Sequence, residues 1–574
     1  MPSAVTLADQ SGPPAPRDQR AERPRRPQWS QRPPARLGSR ARRAALVGAA
    51  AGLAGLVTTQ VMIQHQPGYL VSRPALLYLV LLWWLLGLVT AVLLLLAAPR
   101  RLAVVLLLGA TVAIQGVALT GGPRLSDDLY RYAWDGRVQA AGIDPYRHGP
   151  LDPALARVRD DWLFPDSAGC TADHPRPHCT RLNYPRAHTI YPPVAQAYFT
   201  AVHLLPGPPR EHRLQLYASL CSLGVVCLLM RMLTARGGDP RHAAFYALTP
   251  LAGLDVAADA HVDVLGALFA LGALALLTTP ATDSAGRRRA WLAGALLGAA
   301  VAVKLYPALL LPAMVGRGRA GRRERIELVG AAVAVVALAY LPHVLAVGTG
   351  VLGFLPQYLH VEGYDQGSRF LLLAGLGLHG SAAKAAAAGV LAAVAVAARR
   401  ADPARVPAAR AALWLVGAAF LTATPAQPWY GVLLAVLAVA AERPEWLAVA
   451  AAAHVLYISL FTDVPGDAWT LRVGAYAVAA LLVLAAAALR AVRPGGRWAR
   501  TAGRYGTVEP DPVPQFDAVD DDARRVAGGL GERVALDGAH PEPAPLVEAQ
   551  VVEAGGRGGD QQRRHPLGRQ QLDQ

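Results

Sequence analysis

The chain has 574 residues, 53% of them hydrophobic and only 17% charged, with a formal net charge of +16. That balance excludes a string of soluble domains and points to an all-α, polytopic integral membrane protein. The basic excess does not argue for a nucleic-acid partner, because the arginines lie between apolar runs, where they set topology and meet anionic lipid headgroups.

Residues 1–43 are rich in Pro, Arg and Gln and lack hydrophobic periodicity, so they read as a disordered basic tail that the positive-inside rule keeps in the cytoplasm. No cleavable signal peptide is evident, since the first apolar run lacks a small-residue cleavage site. Ala44 to Ile63 then crosses outward, Ala75 to Ala97 returns, and Leu102 to Thr120 goes out again, each about long enough for a roughly 30 Å hydrocarbon layer. The loop 121–190 is therefore extracytoplasmic, and it holds enough Pro, Asp, His and aromatic residues for a small folded cap. Residues 191–205 are short and proline-started, and read as a helix lying at the outer interface. If they spanned, every later arginine cluster would move outside.

With that segment at the interface, Leu214 to Leu233 enters, Ala243 to Val256 exits and Val262 to Thr279 returns. Trp291 to Val303 and Leu305 to Val315 form a short pair with Lys304 at the outer turn. Leu328 to Leu345, Lys384 to Ala398, Ala411 to Ala423, Trp429 to Ala441, Trp446 to Phe461 and Val473 to Leu489 complete about fourteen crossings in one domain, 44–490. Residues 491–574 read as a second disordered cytoplasmic tail. The predominance of Arg over Lys, with abundant Ala, Gly and Pro, is that of a GC-rich bacterial genome; Lys304 and Lys384 are the only lysines.

The densest polar chemistry is Ser126 to Tyr146, S-D-D-L-Y-R-Y-A-W-D-G-R-V-Q-A-A-G-I-D-P-Y. Adjacent Asp127 and Asp128 cannot both sit uncompensated in a low-dielectric site, so one needs a raised pKa or a cationic partner, as a general base does. Arg131 and Arg137 are the nearest cations. Further polar islands fall on the outer face: Asp255, Asp259, His261 and Asp263; Lys304-Leu305-Tyr306-Pro307; Tyr364-Asp365-Gln366; and Gln427-Pro428-Trp429-Tyr430. A charge at the bilayer centre costs about 3 kcal/mol or more, so these groups are expected to line a hydrated cavity beside the first loop. The alternative is a set of separate interfacial turns, with Trp429 and Tyr430 in an aromatic belt.

Asp255, Asp259 and Asp263 would repel on one face of a continuous helix, so a break is expected between Ala258 and His261. That leaves His261 and Asp263 at the start of the next helix, where a negative group suits the macrodipole. Cys221 and Cys227 read as buried apolar residues of a membrane helix. Cys170 and Cys179, in the outer loop, read as a disulfide; a metal site from Cys170, His174, His178 and Cys179 is the alternative, though its spacing matches no standard zinc pattern. The chain has no P-loop, dinucleotide fingerprint, H-E-x-x-H or G-x-S-x-G, so a nucleotide-dependent cytoplasmic enzyme is not expected.

At the Ser126 stretch, and in order at Thr189-Ile190-Tyr191-Pro192-Pro193, Ala260-His261-Val262-Asp263, Val303-Lys304-Leu305-Tyr306-Pro307 and Pro428-Trp429-Tyr430, the sequence resembles the bacterial polytopic glycosyltransferases of the GT-C superfold. It is similar in particular to the polyprenyl-phosphate-mannose-dependent mannosyltransferases of glycosyltransferase family 87 (GT87), over roughly Leu102 to Leu489. It departs at Ala258-Asp259-Ala260, where a glycine is expected before the histidine. The resemblance implies an acidic residue of the first outer loop, Asp127 or Asp128, as general base for an acceptor hydroxyl, with inversion at the sugar carbon. It implies a polyprenyl-phosphate-linked sugar donor, mannose in the first instance, and an extracytoplasmic glycolipid or polysaccharide acceptor.

In that reading Arg131, Arg137 or Lys304 takes the leaving phosphate. Substrate contacts are expected from Tyr130, Tyr132, Trp134, Asp135, Tyr146, Tyr191, His261, Asp263, Trp429 and Tyr430, with some of the aromatic rings serving to pack the loop. No cofactor is required; the aspartate pair could hold a divalent metal, but the chemistry does not demand one. The active site would face outward from the bacterial cytoplasmic membrane, and an isoprenoid phosphosugar is then the natural donor because nucleotide sugars are confined to the cytoplasm. Two rivals come from other classes. A transporter or flippase of lipid-linked sugars predicts internal repeats and mid-helix ionisable residues, and a non-catalytic scaffold would not require Asp127, Asp128 and Arg131 together.

Overall fold

A computed structural model describes residues 38–66, 74–167, 179–277, 283–316, 318, 321–463 and 466–492. Every regular element among the described residues is a helix, and none of them forms a strand. Both expected tails fall outside them except at their inner edges, where the first helix begins at Ser39 and the last ends at Val492.

Among the described residues, eight helices are long and apolar enough to cross a membrane: Ser39–Gln64 (α1), Pro74–Ala97 (α2), Arg100–Ala118 (α3), Glu211–Ala235, Arg322–Val361, Gly380–Arg400, Pro444–Phe461 and Ala468–Val492. Asp263–Leu276, Ala408–Ala423 and Pro428–Ala440 are apolar but shorter. The expected fourteen crossings are thus not reproduced as fourteen membrane-length helices. Ala243 to Val256 is broken into a 3-10 turn at Pro240–Ala243, one α turn at Ala244–Ala247 and a π-helix at Leu251–Ala258. Leu305 to Val315 is a 3-10 helix, Tyr306–Leu310, followed by the single turn Leu311–Met314, because Pro307 and Pro312 remove amide donors. Both segments carry apolar runs, which a hydropathy count reads as spans, yet neither forms the continuous ladder that a bilayer demands of lipid-exposed backbone.

The 121–190 segment is described except at residues 168–178. It contains Asp128–Ala140 (α4) and a 3-10 turn at Pro153–Val158. Pro193–Leu204 (α5) is twelve residues long, a rise of about 18 Å and too short to span. It packs against α4 so closely that a Cβ on Gly136 would come within 2.4 Å of the Phe199 carbonyl oxygen. The glycine of the W-D-G-R motif is therefore a contact requirement between α4 and α5.

The ends of the bundle differ in chemistry. At one end Arg42 donates to the Ala97 carbonyl at 2.9 Å, Arg241 to Ala98 at 2.7 Å, Arg100 to Thr234 Oγ1 at 3.1 Å and Arg236 to Ala440 at 3.1 Å. Those guanidiniums close the carbonyl ends of α2 and the helix Gly431–Ala440, where the dipole favours cations. The carboxylate-rich segments gather at the other end. Helix Gly431–Ala440 is buried along its whole length, and 56% of the apolar window of Pro444–Phe461 is buried against 11% for Arg322–Val361. The former pair forms the protein core, and the latter turns Val333, Leu338 and Leu345 outward, where lipid would cover them.

Candidate active site

The turn that leads into α4 is clamped before the aspartate pair is reached. Asp259 Oδ1 accepts the Arg124 N–H at 2.5 Å, and its Oδ2 accepts that of Leu125 at 3.1 Å. Tyr457 OH donates to the Leu125 carbonyl at 3.0 Å. The Arg124 guanidinium in turn reaches the carbonyls of Gln64 and Gln66 at the end of α1. Ser126 Oγ accepts the Asp128 N–H at 3.2 Å as the helix starts.

Asp127 and Asp128 then stand half-buried at the N-terminus of α4. One amide bridges them: Asn183 Nδ2 donates to Asp127 Oδ1 at 2.9 Å and to Asp128 Oδ1 at 2.7 Å. Burial, and then the charge of Asp128, push the Asp127 carboxyl up to about 7, while Asn183 pulls it the other way. Asp128 Oδ2 also lies 3.8 Å from His261 Nδ1, which is 3.3 Å from Tyr132 OH. His261 stacks on Trp429 with ring centroids 3.8 Å apart. Burial, reinforced by Lys304, holds that imidazole well below its ordinary range, so it packs as a neutral ring.

Lys304 is the cation at the opposite wall. Its Nζ lies 3.4 Å from Asp263 Oδ2, and it sits over the rings of Tyr430 at 4.6 Å and Tyr191 at 5.5 Å. Tyr306 OH donates to the Tyr430 carbonyl at 3.2 Å, so the Lys304 and Trp429 motifs are joined directly.

These groups open onto a cavity of about 1180 Å³. Its polar lining residues include Asp127, Asp128, Asn183, Tyr191, Lys304 and Tyr430, and its apolar ones Leu305, Leu309, Leu359, Phe420, Leu460 and Phe461. The expected convergence of the polar islands on the first loop is thus what the fold produces. Tyr364 and Gln427 reach the cavity wall, whereas Asp365 pairs with His360 at an exposed surface, 2.7 Å apart.

Of the expected site residues, Asp127, Asp128, Arg131, Tyr191, Lys304, Trp429 and Tyr430 line the cavity. His261, Asp263 and Tyr132 lie directly behind that wall. The rest point elsewhere, because α4 offers only one face to the cavity, the face shared by residues 128 and 131. Arg137 leaves with the opposite face and pairs with Asp160 at 2.5 Å. Tyr130 packs edge-on to Trp162, and Trp134 edge-on to Phe164. Asp135 accepts from Arg131 at 3.0 Å, Thr189 at 2.5 Å and Gln196 at 2.9 Å, fixing the T-I-Y-P-P segment to α4. Tyr146 is buried with its hydroxyl on the Tyr191 carbonyl at 2.5 Å. Arg131 stays on the wall, but its guanidinium is committed to Asp135 and the Ala187 carbonyl.

The break foreseen in the 255–263 segment is present. The π-helix ends at Ala258, Ala260 has a left-handed φ of 56°, and the next helix starts at Asp263. A glycine expected before the histidine therefore corresponds to a backbone conformation that glycine adopts without strain. Cys179 is disulfide-bonded, and its expected partner Cys170 lies outside the described residues, as do His174 and His178. Cys221 and Cys227 are free, and the latter is exposed rather than buried, on an outward face of its helix. Among the described residues no group of three or more His, Cys, Asp and Glu is placed to hold a metal ion.

Asn183, Tyr184 and Glu362 line the cavity without having been anticipated. Asn183 belongs to no helical pattern, and N-Y-P reads only as a turn; its partners lie 55 and 56 positions away.

No curated protein and no solved structure matches the chain. The sequence model of glycosyltransferase family 87 matches residues 189–425, a stretch that takes in Tyr191, the 255–263 segment and Lys304. The aspartate pair precedes that stretch and Trp429 follows it, yet both close the same cavity. Residues 189–425 are thus similar to glycosyltransferase family 87, in a chain whose described residues form helices, several of them of membrane length.

Proposed function

We propose that the protein transfers a sugar, mannose in the first instance, from a polyprenyl-phosphate-linked donor to a glycolipid or polysaccharide acceptor on the outer side of a bacterial cytoplasmic membrane. The observation that carries this reading is the mixed lining of the cavity, which brings carboxylates and a lysine together with leucines and phenylalanines. Such a site suits a ligand with an isoprenoid chain, a single phosphate and a sugar, and burying the chain contributes about 25 cal/mol per Å² of apolar surface. The arginines that cap the ends of α2 and of Gly431–Ala440 support a cavity that faces outward, by the positive-inside rule.

Asp127 is the general base, because its carboxyl titrates near 7 and faces the cavity. It takes the proton of the acceptor hydroxyl as that oxygen attacks the anomeric carbon. The bond from that carbon to the phosphate oxygen breaks, its electron pair leaves with the polyprenyl phosphate, and the sugar carbon inverts. Lys304 meets the charge that develops on the phosphate; Arg131, already paired with Asp135, adds less. Asp128, held by the same amide as Asp127, orients the pair.

The test has two arms. Purified protein in liposomes should consume polyprenyl-phosphate-mannose when extracted envelope glycolipids are supplied, and mass spectrometry of envelopes with and without the gene should show one missing glycosidic linkage. Unchanged envelopes together with no donor consumption would end the proposal.

A further inference from the structure

Among the described residues lining the cavity, Glu362 is the one acid besides the aspartate pair. Its setting is different. Glu362 is 4% exposed; its Oε2 accepts from Arg369 Nη2 at 2.6 Å and its Oε1 from Gln427 Nε2 at 2.7 Å. Arg369 Nε also donates to the Glu362 main-chain carbonyl at 2.9 Å, so the residue is fixed through both side chain and backbone. A carboxylate whose charge an arginine balances is a poor proton acceptor and a good hydrogen-bond acceptor, with lone-pair directions to spare after two bonds.

Gln427 adds a second acceptor. Its amide nitrogen must face Glu362, because a carboxylate only accepts, and that leaves Oε1 turned away. This oxygen is buried and has no hydrogen-bond donor in reach. Both residues stand close to the expected phosphate. Lys304 covers the Tyr430 ring, the Tyr430 and Tyr358 hydroxyls are 2.9 Å apart, and the Glu362 N–H bonds to the Tyr358 carbonyl one turn earlier, at 2.9 Å. The Tyr184 phenol, on the wall of the same cavity, is raised to about 12 by burial and then by the charges of Glu362, Asp128 and Asp127. Glu362 and Gln427 thus line the same cavity as Lys304 and Asp127.

We propose that Glu362 and Gln427 form a subsite that accepts hydrogen bonds from the hydroxyls of the donor's sugar. The inference rests on the lipid-phosphate-sugar reading above. It assigns sugar recognition to the charge-balanced carboxylate, and proton removal to the pair that lacks an arginine.

Full-length protein in nanodiscs is titrated with two probes of equal chain length, polyprenyl phosphate and polyprenyl-phosphate-mannose. Wild type should bind the mannosyl lipid about tenfold more tightly, the worth of one or two net hydrogen bonds. Gln427→Leu should lower that preference roughly five- to tenfold, with the loss confined to the mannosyl lipid. Glu362→Gln should act in the same direction; if the loss of the Arg369 partner unfolds it, Gln427→Leu decides alone. A preference unchanged in Gln427→Leu, an equal loss for both lipids, or no preference in wild type overturns the subsite while leaving the donor reading standing. Wild type that binds neither lipid removes both.

Discussion

Two groups of aspartates meet at His261, and they have opposite fates. Behind the cavity wall, Asp255 is paired with His454 at 3.0 Å with both side chains fully buried, Asp259 is spent on two main-chain N–H groups, and Asp263 faces Lys304. In front of it, Asp127 and Asp128 share a single amide and open onto the cavity. The number of carboxylates in a segment therefore says little about its chemistry. What separates the two groups is access to the cavity: Asp255, Asp259 and Asp263 are buried behind its wall, whereas Asp127 and Asp128 line it, where a carboxylate with spare lone pairs can take a proton.

The sharpest way to break this comparison is to neutralise one member of each group. Asp127→Asn should cut the turnover of polyprenyl-phosphate-mannose by about 10²- to 10⁴-fold, the usual worth of a general base, with little change in melting temperature. Asp259→Ala should do the reverse in emphasis. It strips two buried N–H groups of their acceptor, at about 1–3 kcal/mol each, so the melting temperature falls, and turnover falls with it because the turn before Asp127 loosens. An Asp127→Asn protein that retains full turnover, or an Asp259→Ala protein with unaltered melting, would erase the distinction.

The front pair should also reveal itself through pH. A base must be ionised to act, so turnover should rise with pH through about 7 as Asp127 loses its proton. Asn183→Ala removes the hydrogen bond that opposes the rise in that carboxyl, so the rising limb should move to higher pH. A limb that stays in place would detach Asn183 from the base. Stability runs the other way. The folded chain holds this proton up to about 7 whereas the ordinary value is 3.8, so the group favours folding below that range and its contribution is lost as pH rises through it.

How much of this was legible in the sequence depended on the distance over which each feature is encoded. The aspartate pair at the cavity and the break near Ala258 follow from local chemistry and spacing, and both are present. The α5 segment was legible for the same reason, since twelve residues cannot cross a bilayer whatever their hydropathy. The roles of Arg137, Trp134 and Tyr146 were not, because they depend on which face of α4 meets the cavity and on what the loop after it folds against. Glu362 and Asn183 were invisible because their partners come from distant segments: Gln427 is 65 positions from the former, Asp127 56 from the latter.

The rear group allows the smallest and cleanest probe. Ala260 holds a φ of 56° between Asp259 and His261, a conformation that a side chain disfavours and glycine tolerates. The residue is 1% exposed, so removing its methyl group also removes a little packing. Ala260→Gly should stabilise the fold by roughly 0.5–1 kcal/mol if backbone strain outweighs that packing, read as a small rise in melting temperature. Because the substitution leaves Asp127, Asp128 and the cavity wall untouched, KM for the donor should not change. A fall in melting temperature would mean that the methyl group matters more to the wall behind His261 than the strained turn does. The rear aspartates would then be held in place by packing rather than by the course of the backbone.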